Sequence, residues 1–129
     1  MKKILIAVAL LLSSQAVMAE WVKYVITDRF DAYYNNDSVI KRGSKVKVWM
    51  ILDYNSAQAF DDGVKYMSSK NQQEFDCYNK LVRMVYYSAT SKGFGKGEVV
   101  YSASAPNEEF SLLIPSSMGE ILLNKVCPK

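Results

Sequence analysis

Along most of this chain apolar and polar residues alternate, and only near the end does the spacing change. From Lys45 to Asp53 the alternation is strict, with Val46, Val48, Met50 and Leu52 on one face and Lys45, Lys47 and Trp49 on the other. This is the period of a strand with one core face and one partly wet face. Glu20 to Thr27, rich in aromatic and β-branched residues, predicts a first strand, and Asp31 to Tyr34 a short second one ended by Asn35-Asn36. Asp37 to Ile40 runs into a turn at Lys41-Arg42-Gly43, and Asn55 to Gly63 reads as a polar loop. Lys65 to Lys70 adds a short strand. Glu74 to Ser88 reads as one long β-rich stretch, with Phe75, Cys77, Leu81, Val85 and Tyr87 sharing parity. The glycine-rich Lys92 to Gly97 then forms a hairpin connection to a strand over Glu98 to Ser104, broken by Ala105-Pro106-Asn107.

After Pro115 the period becomes helical. Met118, Ile121, Leu122 and Val126 fall on one helix face, and Ser117 followed three residues later by Glu120 fits a capping box. About three turns cannot stand alone, so the helix must dock on the sheet. The predicted fold is α+β, an antiparallel sheet of about five or six strands with one C-terminal helix.

The first 19 residues stand apart from this pattern. Lys2 and Lys3 precede an unbroken apolar run from Ile4 to Leu12, and Val17-Met18-Ala19 offers a cleavage point before Glu20. The run is too short to span a bilayer and no stop-transfer segment follows, so residues 1–19 are expected to be a signal peptide and 20–129 a single domain with no membrane span. Two of the 16 basic groups belong to that leader, leaving 14 against 13 acidic ones and lowering the formal charge from +3 to +1. A nucleic-acid ligand would call for a clustered basic excess. Four positive residues within Lys41 to Lys47 are the nearest approach, and they fit a solvated turn and strand start. Export also implies that Cys77 and Cys127, the only two cysteines, form a disulfide that staples the helix to the sheet. In the chain-entropy model such a bridge stabilises the fold by about 4 kcal/mol.

Composition narrows the chemistry. With no histidine, the Ser-His-Asp and Cys-His centres and the zinc-peptidase helix are absent, and two cysteines cannot supply a four-thiolate metal site. Gly93-Phe94-Gly95-Lys96-Gly97 lacks the phosphate-loop spacing and leads into a strand. Asp61-Asp62 and Glu108-Glu109 are neighbours in the chain, whereas glycoside hydrolysis needs carboxylates facing each other across a cleft. The Asp residues at 28, 31 and 37 lack the order of a calcium loop. No enzymatic activity, cofactor or metal is expected. The 2 Trp, 9 Tyr and 5 Phe all follow the leader, and Tyr and Trp are enriched at protein interfaces as well as in sheets. Tyr33, Tyr34, Trp49, Tyr78 and Tyr86 are the candidate protein-binding surface, with Trp49, Tyr78 and Tyr86 placed by parity opposite the core positions.

An ordered set of short stretches resembles one family. Trp21-Val22-Lys23, then Val48 to Tyr54, then Phe75-Asp76-Cys77 with Arg83, Gly97 to Val100, Pro115-Ser116-Ser117 and finally Cys127 resemble the surface-adhesin protein E family over the whole of residues 20–129. The resemblance implies a bacterial envelope protein with a sheet, a C-terminal helix and the Cys77–Cys127 bridge. It also implies a binding module for host extracellular-matrix or serum proteins, with a capacity to form a homodimer. The best-known family member is a lipoprotein whose mature chain starts at a lipidated cysteine. Here Glu20 takes that place, so the expected protein is periplasmic or secreted and not lipid-anchored. A periplasmic accessory or inhibitor that binds another envelope protein is the alternative reading.

Overall fold

The alternating segment at Val46–Leu52 is the middle of an antiparallel sheet in the computed structural model, which describes residues 20–128. The expected leader lies outside the described residues. In chain order the elements are β1 (Trp21–Ile26), β2 (Phe30–Asn35), β3 (Ile40–Arg42), β4 (Lys45–Ala59), β5 (Lys65–Asp76), β6 (Leu81–Thr90), β7 (Val99–Ser104), β8 (Ser111–Leu112) and the helix α1 (Met118–Val126). The sheet order is β1-β2-β4-β5-β6-β7, with β3 pairing β4 and β8 pairing β6. The α+β class, the C-terminal helix and the disulfide are as expected, but the sheet has eight strands rather than five or six. The two additional strands are fragments of three and two residues that sit beside β4 and β6, too short for a readable period.

Two boundaries also differ. Strand β4 continues to Ala59, so the expected loop shrinks to a tight hairpin at Phe60–Val64. The stretch from Glu74 to Ser88 is two strands joined by a turn at Cys77–Lys80, where Asp76 accepts bonds from the backbone and side-chain nitrogens of Asn79 at 3.1 and 3.0 Å. The turn changes the parity of β6. Val82, not Leu81, pairs with Phe75, and a bulge near Val85 then restores the original parity, so that Tyr87 opposes Asn71.

One face of the sheet is the core. Tyr34, Val46, Val48, Met50 and Phe75 are buried there against Leu122, Leu123 and Val126 of α1, with Val22, Tyr24 and Val82 at the margin. Ile121, expected inward, is 38% exposed and Leu123 takes the inward place. Burying several such side chains, each at about 1.5–3 kcal/mol, is what holds the helix down. Ser117 caps α1 by accepting from the Glu120 amide at 3.3 Å, and the Glu120 carboxylate reaches back to the Ser116 amide at 3.1 Å. At the other end Cys127 bonds to Cys77, with Cα atoms 5.8 Å apart. Beyond the helix the same face carries an aromatic chain, Phe30–Tyr54–Tyr66–Phe60–Tyr101–Tyr87, with successive ring centroids 4.5 to 6.1 Å apart.

Candidate binding face

Among the described residues the opposite face has no helix. Cross-strand partners in an antiparallel sheet point the same way, so the row Lys23–Tyr33–Ile51–Lys70–Ser88–Ser102 and the adjacent row Trp49–Gln72–Tyr86–Ser104 stand on it together, with Asn35 beside them in the groove lining. Trp21 joins them opposite Asn35. The Trp49 and Tyr86 rings meet edge to face at 5.6 Å. Between the indoles lies the Lys70 ammonium, 5.6 Å from the Trp21 ring and 5.9 Å from that of Trp49. A cation over an aromatic face is held by the ring quadrupole, by about 0.5–2 kcal/mol depending on desolvation. Around these groups opens a groove of about 410 Å³, lined also by Asn35, Ser88, Thr90, Gly95 and Val99.

The glycine hairpin closes one end of the groove. Its Phe94 amide donates to Asp53 Oδ1 at 2.9 Å and its Gly95 amide to Ser68 Oγ at 2.8 Å, which lays the Phe94 ring against Tyr33 (5.0 Å) and Trp21 (6.0 Å). Two glycines of the hairpin fit closely against their neighbours. A Cβ on Gly93 would stand 2.9 Å from Asp53 Oδ1, and Gly97 has φ +83° with Ser91 Oγ only 2.5 Å from where its Cβ would be. The segment is a hairpin connection, as the sequence predicts, and its amides are spent on the sheet's own side chains.

Further along this face, Arg83 donates through Nε to Glu74 at 2.8 Å and through Nη1 to the Glu108 carbonyl at 3.1 Å, and its guanidinium lies 4.6 Å from the Phe110 ring. Lys45 approaches the same ring at 5.7 Å, and Lys23 lies 5.5 Å from Tyr33 while paired with Asp31 at 3.3 Å. Every cation–π contact among the described residues thus involves a cation of the open face. Among those residues no cluster of three or more His, Cys, Asp or Glu is placed to hold a metal, and no helix is long and apolar enough to cross a membrane.

Of the five candidate surface residues, Trp49 and Tyr86 line the groove, and Tyr33 stands on the same face outside its lining, packed against Phe94 of the hairpin. Tyr34 is a correction. It is 8% exposed in the core, because adjacent strand residues face opposite ways and Tyr33 holds the outward position. Tyr78 is 85% exposed but belongs to the turn beside the disulfide; the strand ends at Asp76, six residues or about 20 Å from Lys70. No sequence signal marks Trp21, Lys70 or Phe94 as part of a binding surface. Trp21 and Lys70 reach the groove only through cross-strand register, and Phe94 meets Trp21 and Tyr33 only because the hairpin folds over the sheet.

The profile of the surface-adhesin protein E family matches residues 21–128. Solved structures of Haemophilus influenzae protein E share the fold: one superposes with a TM-score of 0.62 at 13% identity, covering 87% of this chain and 86% of that one. A second crystal form gives 0.64 at 13% identity over 87% and 90%, and protein E from a non-typeable strain gives 0.60 at 12% over 88% and 78%. No curated protein matches the chain by sequence. Neither the family match nor these neighbours favour the accessory or inhibitor reading.

Proposed function

This chain belongs to the surface-adhesin protein E family, and on that premise we propose that it is an exported, non-enzymatic bacterial envelope protein that binds another protein through the open face of its sheet. The partner class is a host extracellular-matrix or serum protein. The observation that carries the proposal is the Lys70 ammonium set between Trp21 and Trp49 in a groove bordered by Tyr86. Interface anchors are typically aromatic residues in partly desolvated positions, each worth about 2 kcal/mol or more when truncated. A cation among them selects acidic or carbonyl-rich partner surfaces. The helix face cannot serve in this way where α1 and the disulfide already cover it.

Binding of the purified protein to immobilised matrix and serum proteins tests this reading. We expect saturable binding that Trp49→Ala with Tyr86→Ala lowers by about tenfold or more, with the melting midpoint lowered by only a few degrees and the transition still cooperative. A correctly folded protein that binds none of them removes the proposal. Export is read separately, by the size of the cell-envelope form and its N-terminal residue, expected to be Glu20. Sedimentation of the same preparation reads whether two copies pair.

A further inference from the structure

The two edges of the sheet are built differently. β1 carries Lys23, ion-paired to Asp31, and a register shift at Tyr24, both devices that blunt an edge against further pairing. β7, Val99 to Ser104, has neither charge nor proline, and five of its six residues are exposed. The ladder shows which of its backbone groups are free. Ala105 donates to the Val85 carbonyl at 2.8 Å, and the register continues through Ala103 opposite Tyr87 and Tyr101 opposite Ala89. In an antiparallel pair, bonded and non-bonded pairs alternate. Ser102 and Ser104 therefore turn their N–H and C=O groups away from β6, toward solvent.

Beside this edge is an apolar cleft of about 430 Å³ lined by Phe60, Val64, Val100 and Tyr101, with Asp61 and Asp62 on its rim. The bulge between Ala89 and Thr90 brings Val100 as well as Tyr101 to the cleft. Phe60, stacked on Tyr66 at 4.5 Å and 5.5 Å from Tyr101, forms its wall. Asp62 is fixed by accepting the Val64 amide at 3.0 Å, and neither carboxylate has an ion pair among the described residues.

We propose that β7 is a docking edge for an extended segment of a partner polypeptide, which adds to the sheet at Ser102 and Ser104. One of its apolar side chains enters the cleft, and a neighbouring Lys or Arg meets Asp61 and Asp62. Main-chain bonds supply affinity in strand addition and alternate side-chain pockets supply selectivity. A second copy of this chain is the poorer occupant, because β7 paired to β7 brings no positive charge from Val99–Ser104 to the two carboxylates. The cleft and its two carboxylates share no lining residue with the groove at Lys70, which β7 touches through Val99, so the two sites are read apart by the cleft variants and by Trp49→Ala.

The test uses the full protein as isolated from the cell envelope. The probe is a synthetic peptide of about eight alternating Val and Thr residues with one central Lys, compared with its Glu counterpart. The Lys peptide should bind about fivefold more tightly, with slowed amide exchange at Ser102 and Ser104, and Asp61→Asn with Asp62→Asn should erase the difference. Ser102→Pro removes an outward N–H without breaking the β6 ladder, a place where an edge strand tolerates proline, and should weaken the Lys peptide about fivefold or more. Backbone N-methylation of the peptide should do the same with the protein unaltered. Trp49→Ala should leave this binding unchanged. Equal binding of the two peptides, or indifference to N-methylation, overturns the proposal. So does a dimer that Ser102→Pro converts to monomer, since the edge would then belong to a second copy.

Discussion

Tyr33 and Tyr34 are neighbours in one strand and lead different lives, which is the contrast between the two faces of this sheet in miniature. Tyr34 meets Tyr24 edge to face at 5.8 Å within the core that α1 covers. Tyr33 faces Lys23 and Phe94 on the side over which, among the described residues, only the glycine hairpin and the Glu108–Phe110 segment fold. On the helix side aromatic rings pack against aliphatic side chains and are sealed by a disulfide. On the open side they pack against cations, and a groove remains. Residue type is the same on both sides; what differs is whether the chain supplies its own cover. Stability belongs mainly to the first face, and binding is proposed for the second.

Substitutions can break that division. The largest expected effect is Phe75→Ala, which empties a fully buried site under the helix and should cost about 3–5 kcal/mol, read by denaturant unfolding. Next is loss of the bridge: Cys77→Ser with Cys127→Ser should cost about 2–4 kcal/mol and lower the melting midpoint by several degrees or more. An unchanged midpoint under non-reducing conditions would count against the staple.

A pH scan sharpens the comparison from the helix side. Burial pushes the Tyr24 phenol well above the ordinary range, and burial followed by the nearby Tyr66 and Tyr54 pushes Tyr87 up to about 12. A raised folded-state value means that stability is complete below the unfolded phenol value near 10 and is lost as pH climbs toward the folded one. Unfolding should therefore ease between about pH 10 and 12, and phenolate absorbance at 295 nm should show at least these two tyrosines ionising late. At the acid end Asp76 works in reverse. The Asn79 side chain and amide hold its carboxyl below the usual carboxylate range, so its contribution is present above the ordinary Asp value and fades as pH falls through the lower, folded one.

Ser117→Ala removes the helix cap and should cost about 1 kcal/mol. Smallest in stability is Trp49→Ala on the open face, expected at about 1 kcal/mol or less because the indole is only half-buried. If Trp49→Ala unfolds the protein as Phe75→Ala does, the two faces are one structural unit and the division fails.

The parts of this architecture that announce themselves in the sequence are those with one dominant cause. Strict alternation at Val46–Leu52 marks the core face of β4, Ser117 and Glu120 mark the helix start, and two lone cysteines mark the bridge. β5 reads as only a short strand because its central residues, Ser68 to Glu74, are polar on both sides, yet it sits in the middle of the sheet. Several of its polar groups find partners in neighbouring segments: Ser68 Oγ lies 2.6 Å from Thr90 Oγ1 and donates to the Lys92 carbonyl at 2.7 Å, and Ser88 reaches the Lys70 carbonyl at 2.9 Å, whereas Asn71 Oδ1 is buried without a hydrogen-bond partner. Hydropathy cannot register such partners before the strands are aligned. Sequence parity places Tyr86 on the outward face, but the Cys77–Lys80 turn reverses that parity and the bulge near Val85 restores it, so two local irregularities cancel. The groove itself needs the register of six strands and is visible in the sequence only as two of its rings, Trp49 and Tyr86.

The most direct test of the division between faces is a charge reversal at its centre. Lys70→Glu turns the cation between Trp21 and Trp49 into an anion while leaving the helix side untouched. With binding to immobilised matrix and serum proteins measured beside a melting curve, affinity should fall about tenfold or more while the midpoint moves by only a few degrees. Undiminished binding by a folded Lys70→Glu protein would contradict the account.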